Sequence, residues 1–181
     1  MPSLGDTLFA FTDWLRSTPL VDFALWISNT STSLWIGTHF WAIPILQTLH
    51  ILSIAMAFGS VLLINLRILG LTGGSRTIEQ TVHRYLPWIW WALVVLIVTG
   101  FGMIIGEPVR ELINPVFWIK MALVIAMILL SIGFQTMARR NAARWEMTGA
   151  GQISLRTGAV CIILLWCAIM VAGRWIAYAP V

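Results

Sequence analysis

Charge is scarce in this chain. Its 181 residues include 11 Lys and Arg and 7 Asp and Glu, or 10% charged, against about 25% in an average soluble domain. So few charges exclude an ordinary water-soluble domain. With 59% hydrophobic residues and a mean hydropathy of +0.89, the composition is that of an integral membrane protein. The formal charge of +4 does not indicate nucleic acid, because the arginines fall in short loops rather than on one basic surface. Cysteine is nearly absent. Cys161 and Cys167 lie in one apolar stretch, and a single helix does not easily bridge two such positions, so no disulfide framework is expected. The first residues lack a basic region and carry Asp6 and Asp13, so no cleavable signal peptide is expected. There is no Walker loop, dinucleotide fingerprint, zinc motif or Ser-His-Asp arrangement, and no Met-x-x-x-Met or Cys-x-x-Cys cluster.

Tryptophan and long apolar runs are abundant. Eleven tryptophans suit interfacial aromatic belts. The central run is His50 to Arg67, with no formal charge between its ends. At 1.5 Å per residue it spans about 25 Å, close to a hydrocarbon core of roughly 30 Å. The expected fold is all-α: an integral membrane four-helix bundle preceded by interfacial amphipathic helices. Residues 1–32 form the interfacial segment. Within it, 4–16 and 19–28 place apolar groups at helical spacing but are too short to span. Residues 33–181 form the transmembrane domain, with helices expected at about 34–70, 87–106, 115–138 and 155–178. The first is about 37 residues, or roughly 55 Å, too long for a bilayer, and a bend is expected at Pro44. Gly70, Gly73 and Gly74 end it, and Gly102-x-x-x-Gly106 on the second helix permits a close helix approach.

The loops after helices one and three hold Arg67, Arg76, Arg84, Arg139, Arg140, Arg144 and Arg156. The other side has Arg16, Arg110, Lys120 and Arg174. The positive-inside rule puts the seven-residue side in the cytoplasm and both termini outside. Depth then follows from distance to the cytoplasmic arginines. His50 is 17 residues from Arg67, Lys120 is 19 from Arg139, and Arg174 is 18 from Arg156. Each interval corresponds to about 25–29 Å. His50, Lys120 and Arg174 therefore share a level near the outer boundary of the hydrocarbon, with Glu107 at or just above it. An ionisable residue at that depth is a functional hypothesis by default.

Plainer readings stand beside this one. Lys120 and Arg174 suit snorkelling to the headgroups, and His50 suits a packing histidine bonded to a neighbouring helix. Lys120, Val124, Ser131 and Gln135 share one helix face, and that polar face is expected to look into the bundle. His39 is eleven residues before His50, so an unbroken helix aligns the two about 16 Å apart. His39 then serves a second cofactor level or has an external polar role. His83, beside Arg84, reads as a surface histidine. Met56, Met103, Met121, Met127, Met170 and the two cysteines lie in the spans, where soft sulfur ligands suit Cu(I) but methionine is also ordinary packing material.

Leu49-His50-Ile-Leu-Ser-Ile-Ala-Met-Ala-Phe-Gly59-Ser60 with Asn65-Leu66-Arg67-Ile-Leu-Gly70, and Asn114-Pro115-Val116-Phe117-Trp118-Ile119-Lys120, resemble a group of small, largely uncharacterised bacterial four-helix membrane proteins. More distantly, residues 45–140 are similar to HemJ-type protoporphyrinogen oxidases and CopD-type copper-resistance membrane proteins. The HemJ type binds haem b and carries a first-helix histidine and a lysine opening a later helix. By that resemblance His50 and Lys120 correspond to those residues, and the location is the bacterial inner membrane.

The expected function is therefore to hold a cofactor, haem b, for electron transfer or porphyrin oxidation. His50 is the axial ligand and sole metal-ligand candidate. Lys120 and Arg174 offset the propionates, His39 from a second copy is one source of a sixth ligand, and Ser53, Ala57 and Gly102 make room for a flat macrocycle. The alternatives are a non-catalytic transmembrane subunit or scaffold of a larger complex, and copper handling. The expected partners are the lipid bilayer, other membrane subunits or a second copy.

Overall fold

The computed structural model describes residues 4–72, 77–145, 149–176 and 178, with the side chains of 4, 132, 134–145 and 149–152 outside the description. The described residues form helices and no strands: α1 Leu4–Arg16, α2 Leu20–Ser28, α3 Ser31–Thr38, α4 Ala42–Ile68, α5 Ile78–Gly106, α6 Pro108–Leu112, α7 Pro115–Trp145 and α8 Gly149–Trp175. Helices α4 and α5 and the 153–175 part of α8 are long and apolar enough to cross a membrane. The described apolar part of α7, Pro115–Ser131, is shorter. The chain is an integral membrane helical bundle with amphipathic helices before it.

Helices α1 and α2 form over the stretches expected at 4–16 and 19–28, and a further short helix follows them. That helix, α3, opens on Thr30, whose hydroxyl accepts from the Ser33 N–H. The structure corrects the single helix expected over 34–70. The break falls at His39, whose extended backbone (φ −91°, ψ 105°) stops α3, and not at Pro44. Pro44 is the third residue of α4, in the first turn, where a backbone N–H has no intrahelical acceptor to lose. The remaining 27 residues rise about 40 Å, a length a tilted span accommodates.

Helix α4 stops at Gly70, the only positive-φ glycine among the described residues (φ 76°). The Leu71 N–H donates to Leu66 O and the Gly70 N–H to Arg67 O, a Schellman closure. Gly73 and Gly74 lie outside the described residues.

The second span begins at Ile78 rather than 87, because Thr77 and Gln80 form a reciprocal capping box. Pro87 lies inside α5, a position membrane helices tolerate. Helix α7 extends to Trp145 and α8 runs from Gly149 to Trp175, so both helices reach further toward their connection than expected.

Among the described residues, α4 packs on α5 and α8, and α8 packs on α7. No helix–helix contact joins α5 to α7. The order across the bundle is therefore α5–α4–α8–α7. Lipid tails are as apolar as leucine, so close packing of small residues has to hold such helices together. Ala57 and Ala92 are fully buried with Ile162 and Trp166, and Phe58 lies 6.1 Å from the Trp166 ring. A second cluster sits at the opposite end, where α2 and α6 cover α7 and α8. It contains Ala24, Leu112, Val116, Phe117, Ala172 and Ile176.

Gly102 and Gly106 let α4 and α3 lie against α5. A Cβ at Gly102 would meet Leu46 Cδ2 at 3.0 Å, and one at Gly106 would meet Ile43 Cδ1 at 2.5 Å and Ile36 Cγ2 at 2.7 Å. The space beside Gly102 thus belongs to Leu46, and Ala57 is consumed in helix packing. Neither makes room for a macrocycle, and the buried Ser53 hydroxyl is occupied by Leu49 O (2.8 Å). That part of the sequence expectation is corrected.

Candidate functional site

His50 lies one-third of the way along α4, with its ring against α5. Its Nδ1 is 2.8 Å from Thr99 Oγ1, and Cε1 faces Gly100, where a Cβ would stand 3.7 Å away. Thr99 is nearly inaccessible, and its hydroxyl oxygen is 2.7 Å from Val95 O. A hydroxyl has one proton. That proton goes either to His50 Nδ1, which leaves the ring's own proton on Nε2, or to Val95 O, in which case Nδ1–H donates to Thr99 Oγ1. In the second arrangement the neutral ring presents the Nε2 lone pair as its free end, which is how a second partner fixes the tautomer of a ligating histidine.

Lys120, the chain's single lysine, enters from α7. Its position follows from the stretch Asn114–Lys120. Asn114 is fully buried. Its Oδ1 accepts from Val116 N–H (2.9 Å), capping α7, and its Nδ2 donates to Ile176 O (2.9 Å), tying that start to the end of α8. Pro115 takes the first helical position, and Trp118 Nε1 donates to Leu112 O (2.9 Å). The lysine stem then runs beside Gly173 of α8, where a Cβ would stand 3.8 Å from Lys120 Cε. Lys120 is half-buried, and its charge acts on both His50 and Glu111. Val124 and Ser131 on the same helix face are also half-buried, whereas Ile125, Ile128 and Leu129 are exposed. The Gln135 side chain lies outside the description.

Glu111, on α6 beyond the spanning segments, is the acidic member of this group. Burial pushes its carboxyl up from the ordinary value, Lys120 and Arg110 pull it down, and Glu107 adds to the rise. Glu107, the acid expected at this level, instead pairs with Arg110 at 2.6 Å on the surface. The sequence reading chose the acid before the proline and overlooked the one a single helical turn later. Thr99 was also overlooked, although a hydroxyl near the end of an otherwise apolar span was the available signal.

Two other expected site residues lie elsewhere. Arg174 is exposed, 2.8 Å from the Tyr178 hydroxyl and stacked over that ring, one residue beyond the glycine that faces Lys120. His39 does not share a helix face with His50, because the break between α3 and α4 removes the alignment. Its Nδ1 lies 2.7 Å from Trp35 O, and its ring is 4.6 Å from Trp35 and 5.7 Å from Trp41. His83 is exposed.

Residues 23–179 match a family described as a family of unknown function, DUF6644. The chain belongs to the DUF6644 family. No curated protein and no solved structure matches it significantly. The match takes in α3 to α8 and the last six of the nine residues of α2, so the His50–Thr99 contact and the Asn114–Lys120 stretch both lie within the family region.

Two further features bound the chemistry. Among the described residues no three His, Cys, Asp or Glu side chains gather as a metal cluster. Sulfur is dispersed as well: Met121 packs in the α6-end cluster, Met56 and Met127 in the other, and both cysteines are exposed. An open groove of about 350 Å³ lies between α2–α3 and α5–α6, lined in part by Ser28, Ser33, Gly37, Thr38, Glu107 and Arg110. It is separate from His50 and Lys120.

Proposed function

We propose that this DUF6644 chain holds a cofactor through His50, namely b-type haem, and serves electron transfer or porphyrin oxidation in the bacterial inner membrane. The observation that carries the reading is the His50–Thr99 contact, which directs Nε2 away from the protein's own hydrogen bonds. With Nδ1–H donating to Thr99, Nε2 is left with the lone pair that a histidine axial ligand uses. Bound haem would supply the one-electron chemistry. The chain's part is to fix the ring through Thr99 and to place Lys120 where it offsets a propionate. Gly100 lets the His50 ring lie against α5, and Gly173 lets the Lys120 stem lie against α8. His50 and Lys120 are also the two residues that the HemJ-type resemblance selects. Arg174, held by Tyr178, has no part in this arrangement. The proposed orientation sets the α6 end and both termini on the periplasmic side, from the excess of arginines at the other end.

The absorption spectrum of protein purified under haem-preserving conditions tests the reading. A Soret band that is lost in His50→Ala is expected, and its absence from the wild-type protein would remove the proposal. A second reading, a non-catalytic subunit of a larger complex, rests on the exposed Trp88, Trp90 and Trp91 of α5. Native co-purification with a partner and no pigment would favour it.

A further inference from the structure

The groove of about 350 Å³ between α2–α3 and α5–α6 lies within the size range of ligand clefts, about 300–1,000 Å³. None of its lining residues enters the haem proposal. It sits where α5 ends at Gly106 and where Glu107 and Arg110 pair at the start of α6. Gly37 and Gly106 both line it, and a Cβ at Gly37 would stand 3.8 Å from Gly106 O, so the backbones of α3 and α5 meet there. Helices α2 and α3, which form one wall, also carry exposed Trp26 and Trp35, residues that settle at head-group depth.

The polar groups of the groove sort into acceptors and donors. The Glu107 carboxylate is an acceptor. So are Ser28 Oγ and Thr38 Oγ1, whose own protons go to Ala24 O (3.0 Å) and Leu34 O (2.7 Å). Arg110 is a donor: one Nη1–H meets Glu107 Oε2 at 2.6 Å, and its other N–H groups have no partner among the described residues. Ser33 is the second donor. It is only 4% exposed, yet its hydroxyl has no hydrogen-bond partner among the described residues. A hydroxyl so placed calls for a partner, and Ser33 lines the groove. The Glu107 and Arg110 side chains are 36% and 46% exposed, and an exposed pair of this kind contributes little by itself. A ligand carrying both an anion and a protonated amine gives each of these charges a new partner. Exposed Leu34 and Val109 add an apolar edge to the same lining.

We infer that this groove holds the head group of a phospholipid that bears a primary ammonium beside its phosphate. The phosphate rests on Arg110 and the Ser33 hydroxyl, the ammonium on Glu107 with Ser28 and Thr38 as further acceptors, and the acyl chains leave past Leu34 and Val109. The amine must be primary, because these acceptors need N–H donors and a quaternary ammonium has none. Bound in this way, the lipid ties α2–α3 to α5–α6.

Native mass spectrometry of the full chain, delipidated in detergent and titrated with lipid, reads the binding. Phosphatidylethanolamine should bind about tenfold more tightly than phosphatidylcholine of the same chains, the effect of losing a charge-assisted hydrogen bond. It should also outcompete phosphatidylglycerol, which has no ammonium. Arg110→Gln should weaken phosphatidylethanolamine about tenfold, with Arg110→Lys retaining most of the binding, and Ser33→Ala should cost about threefold. Glu107→Gln should remove the preference over phosphatidylglycerol, and Arg174→Gln should change nothing. Soluble glycerophosphoethanolamine should compete only weakly. Equal binding of the three lipids, or a preference that survives both Arg110→Gln and Glu107→Gln, would overturn the inference. So would glycerophosphoethanolamine binding as tightly as the lipid, which would make the groove a site for a soluble zwitterion. A pigmented protein without the lipid preference defeats this inference alone, and a colourless protein that shows it defeats the haem reading alone.

Discussion

His50 is held by a side chain of the neighbouring helix, whereas Lys120 is held through the frame from which its helix grows. On the α4–α5 side, one short contact to Thr99 restrains the ring, and Thr99 is itself tied to its own helix. On the α7–α8 side, Asn114 ties the frame together, and the lysine stem beyond it lies beside Gly173 with the charge of Glu111 acting on its amine. One half restrains a histidine ring through a hydroxyl, and the other sets a cation beside a helix backbone.

The comparison breaks most severely at Asn114. Asn114→Ala leaves the Val116 N–H and Ile176 O without partners in a fully buried place, a loss of about 2–4 kcal/mol. Thermal unfolding in detergent should show it, and Asn114→Asp, which keeps the capping oxygen, should fall between. Gly106→Ala tests the stiffness of the other half. Its new Cβ meets Ile43 and Ile36, and a cost of about 1–3 kcal/mol is expected, read from the same unfolding curves. An unchanged midpoint would mean that α3 and α4 yield freely.

Thr99→Val sharpens the contrast between the halves. Its stability cost should be only about 1 kcal/mol, as for other interhelical hydrogen bonds in membranes. Any spectral signature of His50 should nevertheless broaden or shift, and Thr99→Ser should restore it. If Thr99→Val leaves the spectrum untouched, the ring is not oriented from α5.

The smallest effect concerns Glu111. Its folded-state value is raised, so the folded protein binds more protons than the unfolded chain. Stability from this group is present below the ordinary carboxyl range and is lost as pH rises through the raised value. Unfolding midpoints measured against pH should therefore decline across that window, and Glu111→Gln should flatten the decline.

The apolar membrane-length helices and the short helices before them were legible in the sequence. Apolar run length and helical rise fix depth whatever the packing. The break at His39 was not legible, because nothing local marks an extended histidine as stronger than a proline in a first turn. Arg174 was misplaced for a related reason. Depth along a helix says nothing of direction around it, and one residue separates Arg174 from the glycine that faces Lys120. Asn114 was visible as part of a resemblance, but its role required the carbonyl of Ile176, 62 residues away in sequence.

Nitrogen-15 NMR of the histidine rings in lipid bilayers, with His50 assigned by its loss in His50→Gln, tests the central claim most directly. A proton on Nδ1 and a bare or metal-shifted Nε2, with that preference abolished in Thr99→Val, is the predicted result. A proton on Nε2 with a bare Nδ1 would contradict it, since the atom proposed to face the ligand would then be blocked.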